Sequence, residues 1–138
     1  MKNVLLFILI PFLYLSCSKE PETEDVTLEL LPVSAIELPV NFNINTENII
    51  KVSFARPTEC YAFNQFYSES GNSISTIAVE STVIRKKNGG CRPLQSNNIM
   101  TQNLKFRPVK TGEYTLKFWN GKDTNGDDLF LTYNIFIE

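Results

Sequence analysis

Residues able to do chemistry are scarce in this chain, and the scarcity excludes a good deal. Among 138 residues there is no His. That removes the usual general base near neutral pH, every Ser/His or Cys/His nucleophile pair and the commonest zinc ligand. Carboxylates remain, but Glu37, Glu47, Glu59, Glu69, Glu80, Glu113 and Glu138 fall mostly at loop or exposed positions of the strand pattern set out below. Two carboxylates suffice for glycoside hydrolysis, yet a domain this small has little room for the cleft that such work needs. The expectation is a non-enzymatic protein that requires no cofactor. A formal net charge of −2 also argues against a nucleic-acid partner, which calls for a basic surface.

Three groups of side chains could bind rather than catalyse. Trp119 is the only Trp. It alternates away from Tyr114, Leu116 and Phe118, so it is expected on the outer face of its sheet, with Phe130 and Phe136 at the same parity on the following strand. Should the strand bearing Tyr61, Phe63 and Tyr67 lie beside them, the result is a flat aromatic patch suited to an interface or to stacking on sugar rings. The plainer alternative is that Trp119 packs under a loop or covers a sheet edge. The loop Asp123-Thr124-Asn125-Gly126-Asp127-Asp128 resembles a fragment of a calcium-binding loop, with oxygen ligands at alternate positions. A polar hairpin turn built on Asn-Gly has the same composition for conformational reasons. No metal site is assigned. Arg85, Lys86, Lys87 and Arg92 gather around Asn88-Gly89-Gly90, where they either meet an acidic polysaccharide or protect a strand end from edge pairing.

These residues must be positioned by strands. From Val33 onward short alternating runs are separated by turn chemistry, with no helical stretch: 33–38, 49–55, 60–67, 74–87, 99–109, 113–120 and 129–138. Ile50, Val52 and Phe54 alternate with Lys51 and Ser53, the pattern of a half-buried strand. Seven antiparallel strands predict an all-β sandwich over residues 32–138. Gly112-Glu113-Tyr114-Thr115-Leu116 resembles the sixth strand of immunoglobulin-like domains, where a Gly-x-Tyr-x-Cys run carries the tyrosine corner. That resemblance implies an immunoglobulin-like sandwich in which the Tyr114 hydroxyl bonds back to the chain near Pro108–Lys110. Leu116 stands where those domains place an inter-sheet Cys.

Ahead of the domain, Lys2 is followed by an apolar run from Val4 to Leu15 and then Ser16-Cys17. The run is too short for a comfortable membrane span and has the layout of a signal peptide over residues 1–16. Leu13-Tyr14-Leu15-Ser16-Cys17 resembles the lipobox of bacterial lipoproteins, which implies acylation at Cys17. The acidic stretch Ser18–Asp25 is similar to that of small Bacteroidota lipoproteins, and implies an outer-membrane, lipid-anchored, surface-exposed location. Residues 17–31 are expected to form an acidic, disordered tether. Export places Cys60 and Cys91 in an oxidising compartment, where a structural disulfide is expected, since a reactive or metal-binding thiol pair lacks both a CxxC spacing and a His partner.

The functional expectation is therefore a membrane-anchored binding or complex-subunit module, with an extracellular or envelope protein or a glycan as partner. One alternative is a glycan-binding module using Trp119, Phe130 and Phe136. Another is an immunoglobulin-like peptidase inhibitor, echoed by Asn88-Gly89-Gly90 and by Arg107-Pro108, with Arg107 read as lying inside a strand.

Overall fold

The structure is a computed structural model that describes residues 24–87, 89–96 and 98–138. The expected signal peptide, Cys17 and the first part of the tether lie outside the described residues, as do Asn88 and Asn97. Eight strands follow one another: β1 (Glu24–Leu31), β2 (Val33–Glu37), β3 (Asn48–Ala55), β4 (Tyr61–Gly71), β5 (Ile74–Lys86), β6 (Ile99–Phe106), β7 (Gly112–Lys122) and β8 (Asp128–Ile137). There is no helix among the described residues.

The strands form two sheets. One has the order β2-β3-β6; the other runs β1-β5-β7-β8, with β4 on the opposite edge of β5. Their apolar faces meet in one core. Val33, Ile50, Val52 and Phe54 come from the first sheet, and Val79, Leu116, Phe118 and Ile137 from the second, all fully buried. Alternation explains the choice of face, because successive side chains of a strand point to opposite sides. In β3 the pattern buries Ile50, Val52 and Phe54 and leaves Lys51 to solvent. In β7 it buries Leu116 and Phe118. The result is a sandwich-like all-β fold.

Three expectations need correction. Glu24–Leu31, expected as tether, are a strand: all eight residues pair with β5, from Glu24 opposite Lys86 to Leu31 opposite Val79. The strand count is therefore eight rather than seven. The sheets are also not wholly antiparallel, since Ile74–Ile77 of β5 pair parallel to Thr115–Phe118 of β7. Finally, β6 ends at Phe106, so Arg107 lies beyond the strand, where its Nε donates to the Asn45 carbonyl at 3.0 Å.

Loops are pinned by side chains that the alternation pattern does not flag. Asn48 is only 5% exposed. Its Oδ1 accepts from Asn43 N at 2.8 Å, and its Nδ2 donates to the carbonyls of Asn43, Thr46 and Phe106. This one amide closes the loop before β3 and ties it to the end of β6. Gly121 sits at φ 103° next to a bulge in the β7–β8 ladder, where an added Cβ would meet Pro32 Cγ at 3.4 Å. Both the backbone angle and the closeness of Pro32 favour Gly there.

Candidate functional site

The outer face of β7 and β8 carries the aromatic residues singled out by the sequence. Trp119 pairs directly with Phe130 across the ladder, and Glu113 with Phe136. Trp119 and Phe130 are thus neighbours, while Phe136 lies six positions along β8, about 20 Å away at strand spacing. Polar side chains occupy the interval: Lys117 stands opposite Thr132, and Thr115 donates to Asn134 Oδ1 at 3.0 Å. The Lys117 ammonium sits 5.1 Å from the centre of the Phe130 ring, a cation–π distance. Phe136 is 63% exposed, whereas Trp119 and Phe130 are half-buried. Of the three residues, two form a pair and the third stands alone.

The β4 aromatics do not extend this pair. β4 lies on the far edge of β5, and a bulge between Phe63 and Gln65 shifts its register. The extra residue lets Phe63 and Phe66 both face the core, where their rings lie 5.1 Å apart and Phe63 stacks at 6.0 Å on Phe54. Tyr61 also packs against the core, while Tyr67 points outward and donates to Glu69. The continuous aromatic platform is therefore absent: β5 separates β4 from β7 and β8, Tyr61 and Phe63 face the core, and the bulge puts Tyr67 on the opposite face from them.

At the mouth of the β7–β8 hairpin, polar groups organise the turn. Asp123 Oδ1 accepts from the backbone N–H groups of Asn125 at 2.8 Å and Asp127 at 2.9 Å. Those backbone donors, Asp127 first, hold the Asp123 carboxyl below the usual carboxylate range. Asp128 accepts from Lys122 at 2.8 Å and from the Trp119 indole N–H at 2.9 Å. These bonds, led by Lys122, also lower its pKa. Trp119 is thereby anchored at its polar tip to the base of the loop. The geometry is that of a side-chain-stabilised hairpin, and no group of three or more Cys, Asp or Glu side chains gathers as a metal cage among the described residues.

The basic side chains near the Gly89-Gly90 turn diverge. Arg85 turns back along the sheet to Glu29 at 2.6 Å and to Thr27 Oγ1 at 3.0 Å. Glu29 also accepts from the Tyr61 hydroxyl at 2.6 Å. That hydrogen bond first, and then Arg85, hold its carboxyl below the ordinary range, while Tyr61 is correspondingly raised. Arg92 pairs with Glu59 at 3.0 Å. Lys86 and Lys87 alone remain exposed without an ion-pair partner among the described residues. Beside them the expected Cys60–Cys91 disulfide is formed, with Cα atoms 5.5 Å apart. Arg107-Pro108 shares a hollow with Ser70–Ser75, at the start of β5, whereas Gly89 bridges to Lys86 at its end. The two echoes of an inhibitor wedge therefore lie at opposite ends of the thirteen-residue β5.

One further feature escaped the sequence reading. Arg56 Nη1 donates to the Tyr61 carbonyl at 3.1 Å, while its buried Nε has no protein partner. Arg56 lines a hollow with Pro32, Pro57, Leu94 and Asn120.

Comparison with protein-family models, curated sequences and solved structures finds no match for this chain.

Proposed function

We propose that this chain is a lipoprotein of the Bacteroidota type, anchored through Cys17 in the outer membrane, whose domain is a non-enzymatic extracytoplasmic binding or complex-subunit module. The observation that carries the reading is the Leu13–Cys17 run directly after an apolar segment of signal-peptide length. The Cys60–Cys91 bridge supports it, since such bridges persist in oxidising compartments. Two or more acyl chains give stable anchoring where one is marginal. An immunoglobulin-like descent of the sandwich belongs to the same proposal. The Tyr114 hydroxyl, which donates to the Lys110 carbonyl at 3.1 Å, supports that descent. The parallel β5–β7 pairing departs from it.

Mass spectrometry of the N-terminal peptide tests the anchor. A diacylated peptide beginning at Cys17, lost together with membrane association in Cys17→Ala, is the expected result. An unmodified N-terminal peptide in a membrane-free chain overturns it. Protease added to intact cells then separates the outer surface from the periplasmic face.

A second reading, glycan binding, is favoured by the Trp119–Phe130 pair on the outer face beside Lys117 and Asp128. Stacking on an aromatic face and hydrogen bonds from the polar neighbours are the two contacts that a sugar needs. Retention on immobilised surface polysaccharide that is lost in Trp119→Ala supports this reading, and unchanged retention removes it.

A further inference from the structure

The polarity of β1 runs against the usual sheet rule. Val26, Leu28 and Leu30 point to solvent with 57%, 60% and 44% of their surface exposed, while Thr27 and Glu29 turn to the other side. Ile84, which pairs with Val26 on β5, is itself 38% exposed and extends the apolar row. Contiguous exposed apolar side chains mark an interaction surface, and a strand added at the β1 edge would pack its own side chains against the flank of this row.

The edge beside that row is also open, because β5 is the only strand partner of β1 among the described residues. Exposed edges usually carry protection: shortness, bulges, Lys, Pro or a covering loop. The other edges here show such devices. β2 has five residues and a register shift between Val33 and Ala35, and β4 carries the bulge at Phe63/Gln65. β6 bears Lys105 and runs into Pro108, and Val40–Asn43 line a hollow with the end of β8. β1 is eight residues long, contains no Pro or Lys, keeps an unbroken register, and has its inward charge, Glu29, already matched by Arg85 and Tyr61 of the same chain.

We propose that β1 is the seam of a two-fold dimer of this chain, formed by antiparallel pairing of β1 with β1 of a second copy, Leu28 opposite Leu28. The sequence Asp25-Val26-Thr27-Leu28-Glu29-Leu30-Leu31 fixes that register. In an antiparallel ladder, residues directly opposite share a face, so Val26, Leu28 and Leu30 must oppose one another. Pairing centred on Leu28 sets Val26 against Leu30 twice, and Thr27 against Glu29 twice. Centring on Thr27 opposes Asp25 to Glu29 twice, and centring on Glu29 opposes the two glutamates. Like charges directly opposite are destabilising. Only the Leu28-centred register sets Val26, Leu28 and Leu30 all against one another, avoids facing acids and engages seven residues of each strand, with Asp25 opposite Leu31 at its two ends. A two-fold axis makes the contact self-limiting, since one pairing uses both edges.

The test is thiol crosslinking of the full chain in cell extract, with the natural chain as the baseline for Cys17. Leu28→Cys places two thiols directly opposite, with Cβ atoms about 5 Å apart, close to disulfide reach. Val26→Cys or Leu30→Cys alone leaves the like positions about 13 Å apart, while the two together restore facing pairs. Expected is a covalent dimer with Leu28→Cys and with the double variant, and loss of nearly all of it in either single variant. No dimer from Leu28→Cys in chains whose Cys60–Cys91 bridge is intact overturns the proposal, as does equal crosslinking at all three positions. Leu28→Lys, with the natural cysteines, provides a second readout. Sedimentation should show the dimer mass halved, and an unchanged mass overturns the seam.

Discussion

Removing the Cys60–Cys91 bridge, by Cys60→Ala together with Cys91→Ala, is the perturbation whose cost follows most directly from the geometry. The bridge closes a loop of 31 residues. Loop-closure entropy for that length is about 12 cal/mol/K, or about 3.7 kcal/mol at 25 °C. The native state should lose little of its own, because other contacts hold the same two segments. Glu59 N donates to the Arg92 carbonyl at 3.1 Å, Leu94 N to the Pro57 carbonyl at 3.0 Å, and Thr58 bridges Pro93. The Arg92–Glu59 pair, with side chains 77% and 46% exposed, adds little. The cost therefore falls on the unfolded chain. With an unfolding entropy of roughly 0.24 kcal/mol/K for a domain of this size, the midpoint should fall by about 15 °C. Urea unfolding followed by Trp119 emission measures the free energy, and thermal unfolding followed by far-ultraviolet circular dichroism measures the midpoint. A loss below about 1 kcal/mol with an unchanged native spectrum refutes the loop-entropy argument. A changed native spectrum refutes the claim that the flanking hydrogen bonds suffice.

Three further substitutions probe the packing. Ser81 is fully buried between β1 and β4, and its hydroxyl has no partner. An unsatisfied buried hydroxyl costs about 1–3 kcal/mol, so Ser81→Ala should raise the urea midpoint, and a lowered midpoint contradicts this. Asn48→Ala removes four hydrogen bonds at a site 5% exposed and should cost about 2–3 kcal/mol with faster hydrogen exchange in residues 43–48. Glu29→Gln tests the linkage to pH. Because the folded carboxyl titrates below the ordinary carboxylate range, its contribution is present above the unfolded pKa and fades as pH falls through the depressed one. The stability gap between wild type and Glu29→Gln should be about 1 kcal/mol at neutral pH and close in acid. A gap that is constant with pH argues against the network.

The parts of the fold legible in the sequence are those set by local alternation. β3, β5, β7 and β8 fall within a residue or two of their expected bounds, and the inward rows of β3 and β7 are as read. The Tyr114–Lys110 bond is the one that the immunoglobulin-like resemblance implied, and the disulfide is the pairing expected of two cysteines with no CxxC spacing and no His. What failed was non-local or turned on one inserted residue. Nothing in β5 or β7 alone announces that four residues of each pair in parallel. A single bulge in β4 turned Phe66 to the core and Tyr67 outward, and the pairing of β4 with β5 alone kept its aromatics away from Trp119. The Trp119–Phe130 pair survived because its parity needed only the adjacent hairpin.

β1 failed for a different reason, and its misreading explains its register. Its acids made it look like a tether, although Val26, Leu28 and Leu30 alternate as a strand does. Ordinary logic turns such a row inward, yet the structure turns it out. The reason lies with Glu29. Facing the β4–β5 side, it receives both the Tyr61 hydroxyl and the Arg85 guanidinium, and Thr27 beside it receives Arg85 as well. A slip of one residue flips every side chain of a strand. It would bring Leu28 and Leu30 inward, leaving Arg85 and Tyr61 without their acceptor and Glu29 in water. The same slip would also turn Leu31, 3% exposed in the core, out to solvent. Glu29 and Leu31 together hold the register of β1 and, through it, the outward apolar row.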